Sequence, residues 1–282
     1  MIKKIGVVGA GQMGGGIAQV FAHAGYEVSL FDAYPAQLAK ARAAMGKNLA
    51  RLAEKGSIAP GDAEAILGRV LECSELEALA LSDLVIEAVS ENESLKLDLF
   101  RRLDASLRPE AIMASNTSSI PITSLASSTG RPDRVIGMHF MNPVPVMRLV
   151  EIIRGHATSE ETFGAVAAVA ASIGKEIAVS QDYPGFIVNR ILVPMLNDAA
   201  FAVYEGLASP EDIDKSMRLG TNQPMGPLAL ADFIGLDTVL AIMEVLYKGF
   251  RDPKYRPCPL LVKMVQAGQL GKKSGRGFFP YS

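Results

Sequence analysis

A glycine motif near the N-terminus restricts how this part of the chain can fold. Gly9, Gly11 and Gly14 follow the apolar residues 2–8 at the spacing G-x-G-x-x-G. In an α/β protein the first glycine permits a tight turn, the second lets a pyrophosphate approach the backbone, and the third lets the next helix pack closely on its strand. Apolar residues recur at helical spacing after Gly14. The segment therefore predicts a strand, a phosphate-binding turn and a helix.

A carboxylate closes the next apolar run. Asp32 follows residues 28–31 and stands eighteen residues beyond Gly14. A carboxylate at this point accepts hydrogen bonds from a ribose 2′-hydroxyl and repels a 2′-phosphate, and no Arg or Lys follows it before Lys40. We therefore predict NAD(H) rather than NADP(H), bound by Asp32 and by Gly9, Ala10, Gly11, Gln12, Met13 and Gly14. The alternative is that Asp32 only caps the turn before Pro35.

Composition argues against several other classes of protein. The 282 residues include 28 Lys and Arg and 30 Asp and Glu, and the formal charge of −2 gives no reason to expect nucleic-acid or membrane partners. The most apolar stretch, 163–174, is too short to span a bilayer. Cys73 and Cys258 form no CxxC pair, so we predict neither a disulfide nor a metal site. We expect a cytoplasmic protein without a signal peptide.

Apolar runs alternate with helical patterns through the first two-thirds of the chain. This alternation predicts an α/β fold with a Rossmann-like, doubly wound, mostly parallel sheet, whose strands are residues 2–8, 28–31, 84–89, 112–114 and 135–139. A helical hairpin over 36–69, turned at 54–60, is expected as an insertion. The alternation stops at Pro184, so we predict an NAD-binding domain over 1–183 and an all-helical domain over 184–282.

Helical patterns fill the predicted C-terminal domain. The C-terminal domain is predicted to contain helices over 186–205, 210–219, 228–234, 236–247 and 259–267, and Pro194 should kink the first of them.

The first helix of the predicted hairpin over 36–69 carries five cations against the single acid Glu54, namely Lys40, Arg42, Lys47, Arg51 and Lys55. This face is either simply solvated or a basic arm that meets an anionic group of a substrate.

One histidine is placed where α/β folds build their sites. His139 ends a predicted strand at the carboxyl edge of the sheet, while His23 is expected to be structural and His156 to lie in a turn. Twelve residues after His139, Glu151 interrupts an apolar strand-like run, where a carboxylate is costly unless paired. If the two strands form a hairpin, Glu151 can face His139 and the pair can act as a general base.

Two further polar segments are candidates for the site. Residues 115–119, Ser-Asn-Thr-Ser-Ser, follow the predicted strand 112–114, and they either belong to the site or cap a helix. Asn189 lies one turn into an apolar helix. A buried amide needs partners, and a substrate carbonyl would supply one.

Five motifs together resemble the 3-hydroxyacyl-CoA dehydrogenase family, in particular its short, free-standing bacterial members. They cover nearly the whole chain: Gly9-Ala-Gly-Gln-Met-Gly14, Ala114-Ser-Asn-Thr-Ser-Ser119, Gly137-Met-His-Phe-Met-Asn-Pro143, Gly185-Phe-Ile-Val-Asn-Arg190 and Gly271-Lys-Lys-Ser-Gly-Arg-Gly-Phe278. The resemblance implies reversible hydride transfer between C3 of an L-3-hydroxyacyl-CoA and C4 of the nicotinamide of NAD. It also implies a homodimer formed through the helical domain.

The resemblance also implies roles for individual residues. His139 would be the base and Glu151 its partner, while Ser118 and Asn189 would bind the reacting oxygen and the thioester region. The positions for NAD, besides the glycine turn and Asp32, are Glu91, Lys96, Ser118, Asn142 and Lys273. Those for CoA are Asn48, Lys55 and Ser118, and Arg51 is a further partner for its phosphate.

Two other functions stay open at this point. A 3-hydroxyacid dehydrogenase has a similar two-domain plan but acts on free acids with a lysine as base. A non-catalytic NAD-binding protein, such as the lens crystallins that resemble this family, is the second alternative, and the presence of Ser118, His139, Glu151 and Asn189 argues against it. The free-standing form favours short acyl chains, and no additional cation in the motifs distinguishes a dicarboxylic CoA thioester.

Overall fold

A sheet with flanking helices forms the first of two compact units in this protein. The computed structural model describes residues 2–59 and 61–281, and the chain divides at Tyr183 and Pro184. Eight strands form one sheet in the order β3-β2-β1-β4-β5-β6-β7-β8. They are β1 (Lys4–Val8), β2 (Glu27–Phe31), β3 (Val70–Cys73), β4 (Leu84–Glu87), β5 (Ile112–Ser115), β6 (Val135–Phe140), β7 (Leu149–Arg154) and β8 (Glu176–Gln181).

The sheet has the predicted Rossmann-like topology. All neighbouring strands are parallel except β6 and β7, which form an antiparallel pair. The strand order reverses beside β1, and open α/β sheets bind their ligands at the carboxyl ends of the strands at such a switch point. Fully buried apolar side chains of β1, β4 and β6 form the centre of the core, among them Val7, Ile86 and Met138.

Six helices accompany the sheet in the described part of the first unit. They are α1 (Gln12–His23), α2 (Pro35–Glu54), α3 (Asp62–Gly68), α4 (Glu93–Ser106), α5 (Ile122–Ser127) and α6 (Glu160–Ser172). The predicted helical hairpin is present as α2 and α3. Helix α2 buries one stripe at helical spacing, formed by Leu38, Ala41, Met45 and Leu49, so its cations lie on the other faces.

Two strands were not predicted, and both lie at edges of the sheet. In β3 only the first and last residues are buried, and in β8 no residue is. An edge strand with so little burial lacks the continuous apolar run by which the central strands were recognised. The expected strands over 2–8, 28–31, 84–89, 112–114 and 135–139 are present as β1, β2, β4, β5 and β6.

The second unit contains the five helices that the sequence predicts. They are α7 (Val188–Tyr204), α8 (Pro210–Thr221), α9 (Pro227–Ile234), α10 (Leu236–Phe250) and α11 (Pro259–Gln266), and Pro194 lies inside α7. Asp214 on α8 caps α9 by accepting the N–H groups of Leu228 at 2.8 Å and Ala229 at 2.9 Å. Buried Asp232 holds the C-terminal segment by accepting the N–H groups of Phe278 and Phe279.

Three further features bear on the class of protein. Within residues 2–59 and 61–281, no helix combines the length and the apolar character needed to cross a membrane. The same residues contain no group of three or more His, Cys, Asp and Glu side chains suited to holding a metal ion. Cys73 and Cys258 are free thiols, and burial raises the pKa of each.

Candidate active site

The glycine turn between β1 and α1 requires glycine for two separate reasons. Gly9 has a φ of +100°, which other residues rarely adopt, and a Cβ there would lie 2.7 Å from the carbonyl oxygen of Ala88. A Cβ on Gly14 would lie 1.7 Å from the carbonyl oxygen of Gly9, so α1 packs against the turn only because residue 14 has no side chain. A Cβ on Gly11 would meet nothing within 4 Å. The space above Gly11, at the N-terminus of α1, suits a pyrophosphate.

Asp32 both caps a turn and lines a cavity. Its Oδ1 accepts the N–H of Tyr34 at 2.9 Å, and its Oδ2 accepts the N–H of Ala10 at 2.7 Å. The carboxylate therefore connects the turn before Pro35 to the glycine turn. A cavity of about 420 Å³ lies beside it, lined by both turns, by residues 88–90 and by side chains of α4. The Asp32 carboxylate suits a ribose hydroxyl, so the residues that line this cavity fit the adenosine half of a dinucleotide.

A second cavity, of about 590 Å³, lies on the other side of the glycine turn. Helices α1 and α2 and the loop 142–145 line it. Its polar lining consists of five amide side chains and one ammonium group: Gln12, Gln19, Gln37, Asn48, Asn142 and Lys40. Gln12 Nε2 donates to Asn142 Oδ1 at 3.0 Å, and Asn48 Nδ2 donates to Gln19 Oε1 at 3.3 Å. Arg51 lies exposed farther along α2, and exposed Lys55 follows the last residue of that helix.

The predicted hairpin brings His139 and Glu151 together. Strands β6 and β7 pair in a register that places these two residues directly opposite each other, on one face of the sheet. His139 Nδ1 lies 2.7 Å from Glu151 Oε2, and both side chains are buried. A carboxylate at Nδ1 orients the ring and favours the tautomer that keeps its proton on Nδ1. This geometry is that of an oriented general base.

The polar loop after β5 is organised by Glu91 rather than by a helix start. Glu91 Oε1 accepts the N–H groups of Ser118 at 2.9 Å and Ser119 at 3.0 Å, and the hydroxyl groups of Thr117 at 2.5 Å and Ser119 at 2.7 Å. Burial alone would raise the pKa of the Glu91 carboxyl, but the Lys96 ammonium and these hydroxyls outweigh burial and lower the pKa to about 2.

The alternative in which the serine-rich run caps a helix does not describe this loop. Helix α5 begins at Ile122, after Pro121. Asp182 accepts the N–H groups of Ile122 at 2.9 Å and Thr123 at 2.7 Å. The first turn of α5 is therefore capped by a distant carboxylate, and the loop 115–119 stays at the carboxyl edge of the sheet.

Sequence reasoning missed Glu87 at this edge, and it gave no separate role to Asn116 of the candidate run 115–119. Glu87 ends β4, is buried, and accepts the Ser115 hydroxyl at 2.6 Å and the Lys96 ammonium at 2.8 Å. Asn116 Oδ1 accepts the Phe140 N–H at 2.9 Å, next to His139. The signal for Glu87 was present, because an acid interrupts the apolar run 84–89 as Glu151 interrupts its own run.

The remaining predicted residues lie apart from this edge or in the second unit. Asn189 is half-buried in the first turn of α7. Lys273 lies in a short 3₁₀ turn and donates from Nζ to Asp237 Oδ2 at 2.7 Å. His23 and His156 are both exposed, as expected for residues outside the site.

The fold and the site together define a dinucleotide-dependent dehydrogenase. A glycine turn with open space, a carboxylate suited to a ribose hydroxyl and a histidine–carboxylate pair lie at the carboxyl edge of one Rossmann-like sheet. Sequence models agree: that of the 3-hydroxyacyl-CoA dehydrogenase NAD binding domain matches residues 4–183, and that of the C-terminal domain matches residues 185–281. The chain belongs to the 3-hydroxyacyl-CoA dehydrogenase family, and it is an NAD-dependent oxidoreductase.

Individual relatives match the chain over its full length. It is 56% identical over 280 residues to the probable 3-hydroxybutyryl-CoA dehydrogenase of Bacillus subtilis, covering 99% of this chain and 98% of the relative. It is 54% identical over 281 residues to the 3-hydroxybutyryl-CoA dehydrogenase of Bradyrhizobium diazoefficiens, covering 100% and 96%. The crystal structure of (S)-3-hydroxybutyryl-CoA dehydrogenase from Ralstonia eutropha matches with a TM-score of 0.98, 51% identity and full coverage of both chains. The predicted family, fold class and cofactor are confirmed.

Proposed function

We propose that the protein interconverts L-3-hydroxybutyryl-CoA and acetoacetyl-CoA, with NAD(H) as the redox partner. The observation that carries this proposal is the buried pair of His139 and Glu151, joined at 2.7 Å at the sheet edge that also holds the glycine turn. The 3-hydroxybutyryl-CoA dehydrogenases that are 54% and 56% identical to this chain support a short acyl group.

His139 moves the proton in this reaction. Nε2 takes the proton of the substrate's C3 hydroxyl as the hydride leaves the same carbon, and it returns the proton in the reverse direction. Glu151 at Nδ1 keeps the ring oriented and stabilises the imidazolium, and a general base of this kind contributes about 10² to 10⁴ in rate. When bound, NAD supplies the hydride acceptor at C4 of its nicotinamide.

The contacts of two buried lysines argue against a free-acid dehydrogenase with a lysine base. Lys96 and Lys175 are the buried lysines within the described residues. Lys96 bridges two carboxylates, and Lys175 Nζ donates to the carbonyl oxygens of Val144 at 2.6 Å and Met147 at 2.7 Å. Although burial lowers the pKa of Lys175, its ammonium is committed to backbone carbonyls. His139 is the base that this arrangement supports.

Residues of α2 are assigned to the CoA part of the substrate. Asn48 and Arg51 stand three residues apart on α2 and share a face of the helix, and Lys55 is the residue directly after its end, four positions beyond Arg51. Asn48 lines the amide-rich cavity beside the glycine turn, where amide partners suit the pantetheine arm. Arg51 and Lys55, farther along, are assigned to the phosphates. Ser118 and Asn189 bind the reacting oxygen and the thioester.

The cofactor is assigned to the glycine turn, Asp32 and five further residues: Glu91, Lys96, Ser118, Asn142 and Lys273. Asn142 already contacts the turn through Gln12, at 3.0 Å. We assign cofactor binding to residues 1–183, and substrate closure and dimer formation to residues 184–282. Exposed apolar side chains of the second unit, such as Leu207 and Phe233, support the homodimer. A sedimentation mass near the 30.0 kDa of one chain would contradict it.

The cellular role follows from the proposed chemistry. Interconversion of a 3-hydroxybutyryl thioester and its 3-oxo form belongs to butyrate and fatty-acid metabolism. We place the protein in the cytoplasm, where CoA thioesters and NAD(H) are both available.

Oxidation of NADH that depends on acetoacetyl-CoA tests the proposal. The His139→Gln variant should lose at least about 10²-fold in kcat and keep its affinity for NADH. His156→Gln is the matched control, because His156 is exposed and should not affect turnover. Retained turnover in His139→Gln would remove this residue as the base.

A further inference from the structure

A buried lysine supports the loop that connects β6 to β7. Lys175 lies between α6 and β8, and its backbone N–H donates to the carbonyl oxygen of Ala170 at 3.0 Å. Its Nζ donates to the carbonyl oxygens of Val144 at 2.6 Å and Met147 at 2.7 Å. Lys175 is 9% exposed, and burial lowers the pKa of its ammonium. A buried ammonium is costly unless it is hydrogen-bonded, and both of these carbonyl groups belong to the loop 142–147.

The loop 142–147 forms one wall of the candidate site. It lies between the strands that carry His139 and Glu151, and its residues 142–145 line the cavity of about 590 Å³ beside the glycine turn. Asn142, which we assign to the cofactor, accepts from Gln12 Nε2 on α1 at 3.0 Å. A shift of this loop would therefore move a cofactor contact and the wall of the substrate cavity together.

The hydrogen bonds inside the loop explain why it needs an outside donor. The carbonyl oxygen of Pro143 accepts the N–H groups of both Val146 and Met147, each at 3.0 Å. The carbonyl groups of Val144 and Met147 point instead to Lys175. A buried carbonyl without a partner is destabilising by about as much as a lost hydrogen bond. The ammonium thus supplies the partner that a strand ladder supplies elsewhere in the sheet.

Helix α1 packs on the same loop. A Cβ on Gly16 would lie 3.0 Å from the Cβ of Val144 and 3.6 Å from the Cδ of Pro145. Val144 is 2% exposed. Its side chain packs on α1 while its carbonyl oxygen accepts from Lys175, so the loop is fixed from two directions.

We propose that Lys175 is a positioning residue of the active site: its ammonium fixes the loop 142–147 against α1, and this sets the place of Asn142 and of the cavity wall. The inference rests on the proposed function. Lys175 acts through the loop, because its Nζ donates to backbone carbonyl groups. Hydride transfer depends steeply on alignment, and a misplacement of about 1 Å can cost roughly 10²-fold in rate.

Lys175→Ala tests this role. The variant should lose roughly 10- to 100-fold in kcat with NADH and acetoacetyl-CoA. The Kd for NADH, measured by fluorescence titration, should change by less than about threefold, since the glycine turn and Asp32 still bind the adenosine half. Lys4→Ala is the matched control, because the Lys4 side chain is 49% exposed at the start of β1.

Chemical rescue gives a readout that a purely structural role would not affect. Methylammonium added to Lys175→Ala should raise kcat by at least about threefold, because its N–H groups can donate to the same two carbonyl groups. Tetramethylammonium carries the same charge without an N–H group and should not restore kcat. Neither salt should change kcat in Lys4→Ala.

Gly16→Ala displaces the same loop from α1, and it keeps the proposal testable if Lys175→Ala does not fold. Its added methyl group meets Val144, so kcat should fall in this variant as well. Because both changes act on one loop, the double variant should lose less than the product of the two single losses.

Hydrogen exchange of the peptide that covers residues 143–148 measures the loop without any turnover. The Val146 and Met147 amides should exchange faster in Lys175→Ala than in the wild type, and methylammonium should slow them again. If the wild type is inactive on acetoacetyl-CoA while this exchange result holds, the proposed function fails and the contact between Lys175 and the loop stands.

Four outcomes would overturn the positioning role. Unchanged kcat per folded Lys175→Ala molecule with a lower Tm would leave Lys175 a structural role only. Equal rescue by the two ammonium salts would point to ionic strength instead of hydrogen bonding. Unchanged exchange at Val146 and Met147 would show that Lys175 does not hold the loop. Wild-type kcat in folded Gly16→Ala would show that the place of the loop does not limit turnover.

Discussion

Replacing Glu151 by Gln keeps the size and hydrogen-bonding shape of the side chain and removes its charge. In the native protein this charge lies on a buried carboxylate 2.7 Å from His139 Nδ1. When the hydroxyacyl thioester is oxidised, the ring takes the substrate proton, so a positive charge develops on it during the step. The carboxylate therefore stabilises the state that develops during the reaction more than the resting state.

The lost attraction between the imidazolium and the carboxylate charges sets the size of the effect. Two unit charges about 4 Å apart interact by about 4 kcal/mol at an effective dielectric constant of about 20. If about three-quarters of this interaction has developed at the transition state, about 3 kcal/mol is lost, which is roughly 10²-fold in rate. We expect kcat to fall by this factor while KM for L-3-hydroxybutyryl-CoA changes little, because the interaction is formed late.

The assay is steady-state reduction of NAD with saturating L-3-hydroxybutyryl-CoA, with folding checked by circular dichroism. Glu160→Gln is the control, since Glu160 is exposed and pairs with Arg154 at the end of β7. A folded Glu151→Gln enzyme within threefold of the wild-type kcat would refute the argument that the carboxylate stabilises the imidazolium.

Three other predictions follow from the same structure. Asp32→Ala should lower kcat/KM for NADH at least tenfold and reduce the ratio of kcat/KM for NADH to kcat/KM for NADPH. If that ratio is unchanged, Asp32 does not contact the ribose. Arg51→Glu should raise KM for acetoacetyl-CoA but not for a pantetheine thioester without the 3′-phosphate, and equal losses would remove the phosphate role. Burial alone would raise the pKa of the Asp83 carboxyl, but hydrogen bonds from the start of β1 and from Arg108 lower it. Its stabilising contribution is therefore present above the unfolded pKa and lost as the pH falls through the folded pKa, so Asp83→Asn should lower Tm at pH 7, and its difference in Tm from the wild type should shrink in acid.

Much of the site was predictable because its signals are local. Gly9, Asp32 and Glu151 each break or end an apolar run, and a polar or very small residue at such a point has few structural explanations. The hairpin of β6 and β7 follows from the short loop between two apolar runs, and it alone brings His139 and Glu151 together.

Other features depended on contacts between distant segments. Lys96 reads as one of several polar residues on an amphipathic helix, and only the packing of α4 on the sheet buries it between two carboxylates. The serine-rich run was ambiguous because Asp182, more than sixty residues away, caps α5 in its place. Edge strands β3 and β8 carry too few buried residues for periodicity to mark them.

The central claim is that buried His139, oriented by Glu151, transfers the proton of the C3 hydroxyl while C3 of a CoA thioester exchanges a hydride with NAD(H). The most direct test compares the rate of NADH oxidation with acetoacetyl-CoA and with free acetoacetate, in the wild type and in His139→Gln. The account predicts fast turnover of the thioester, little with the free acid, and loss of the thioester reaction in the variant. Comparable turnover of both substrates, or turnover that survives the loss of His139, would contradict it.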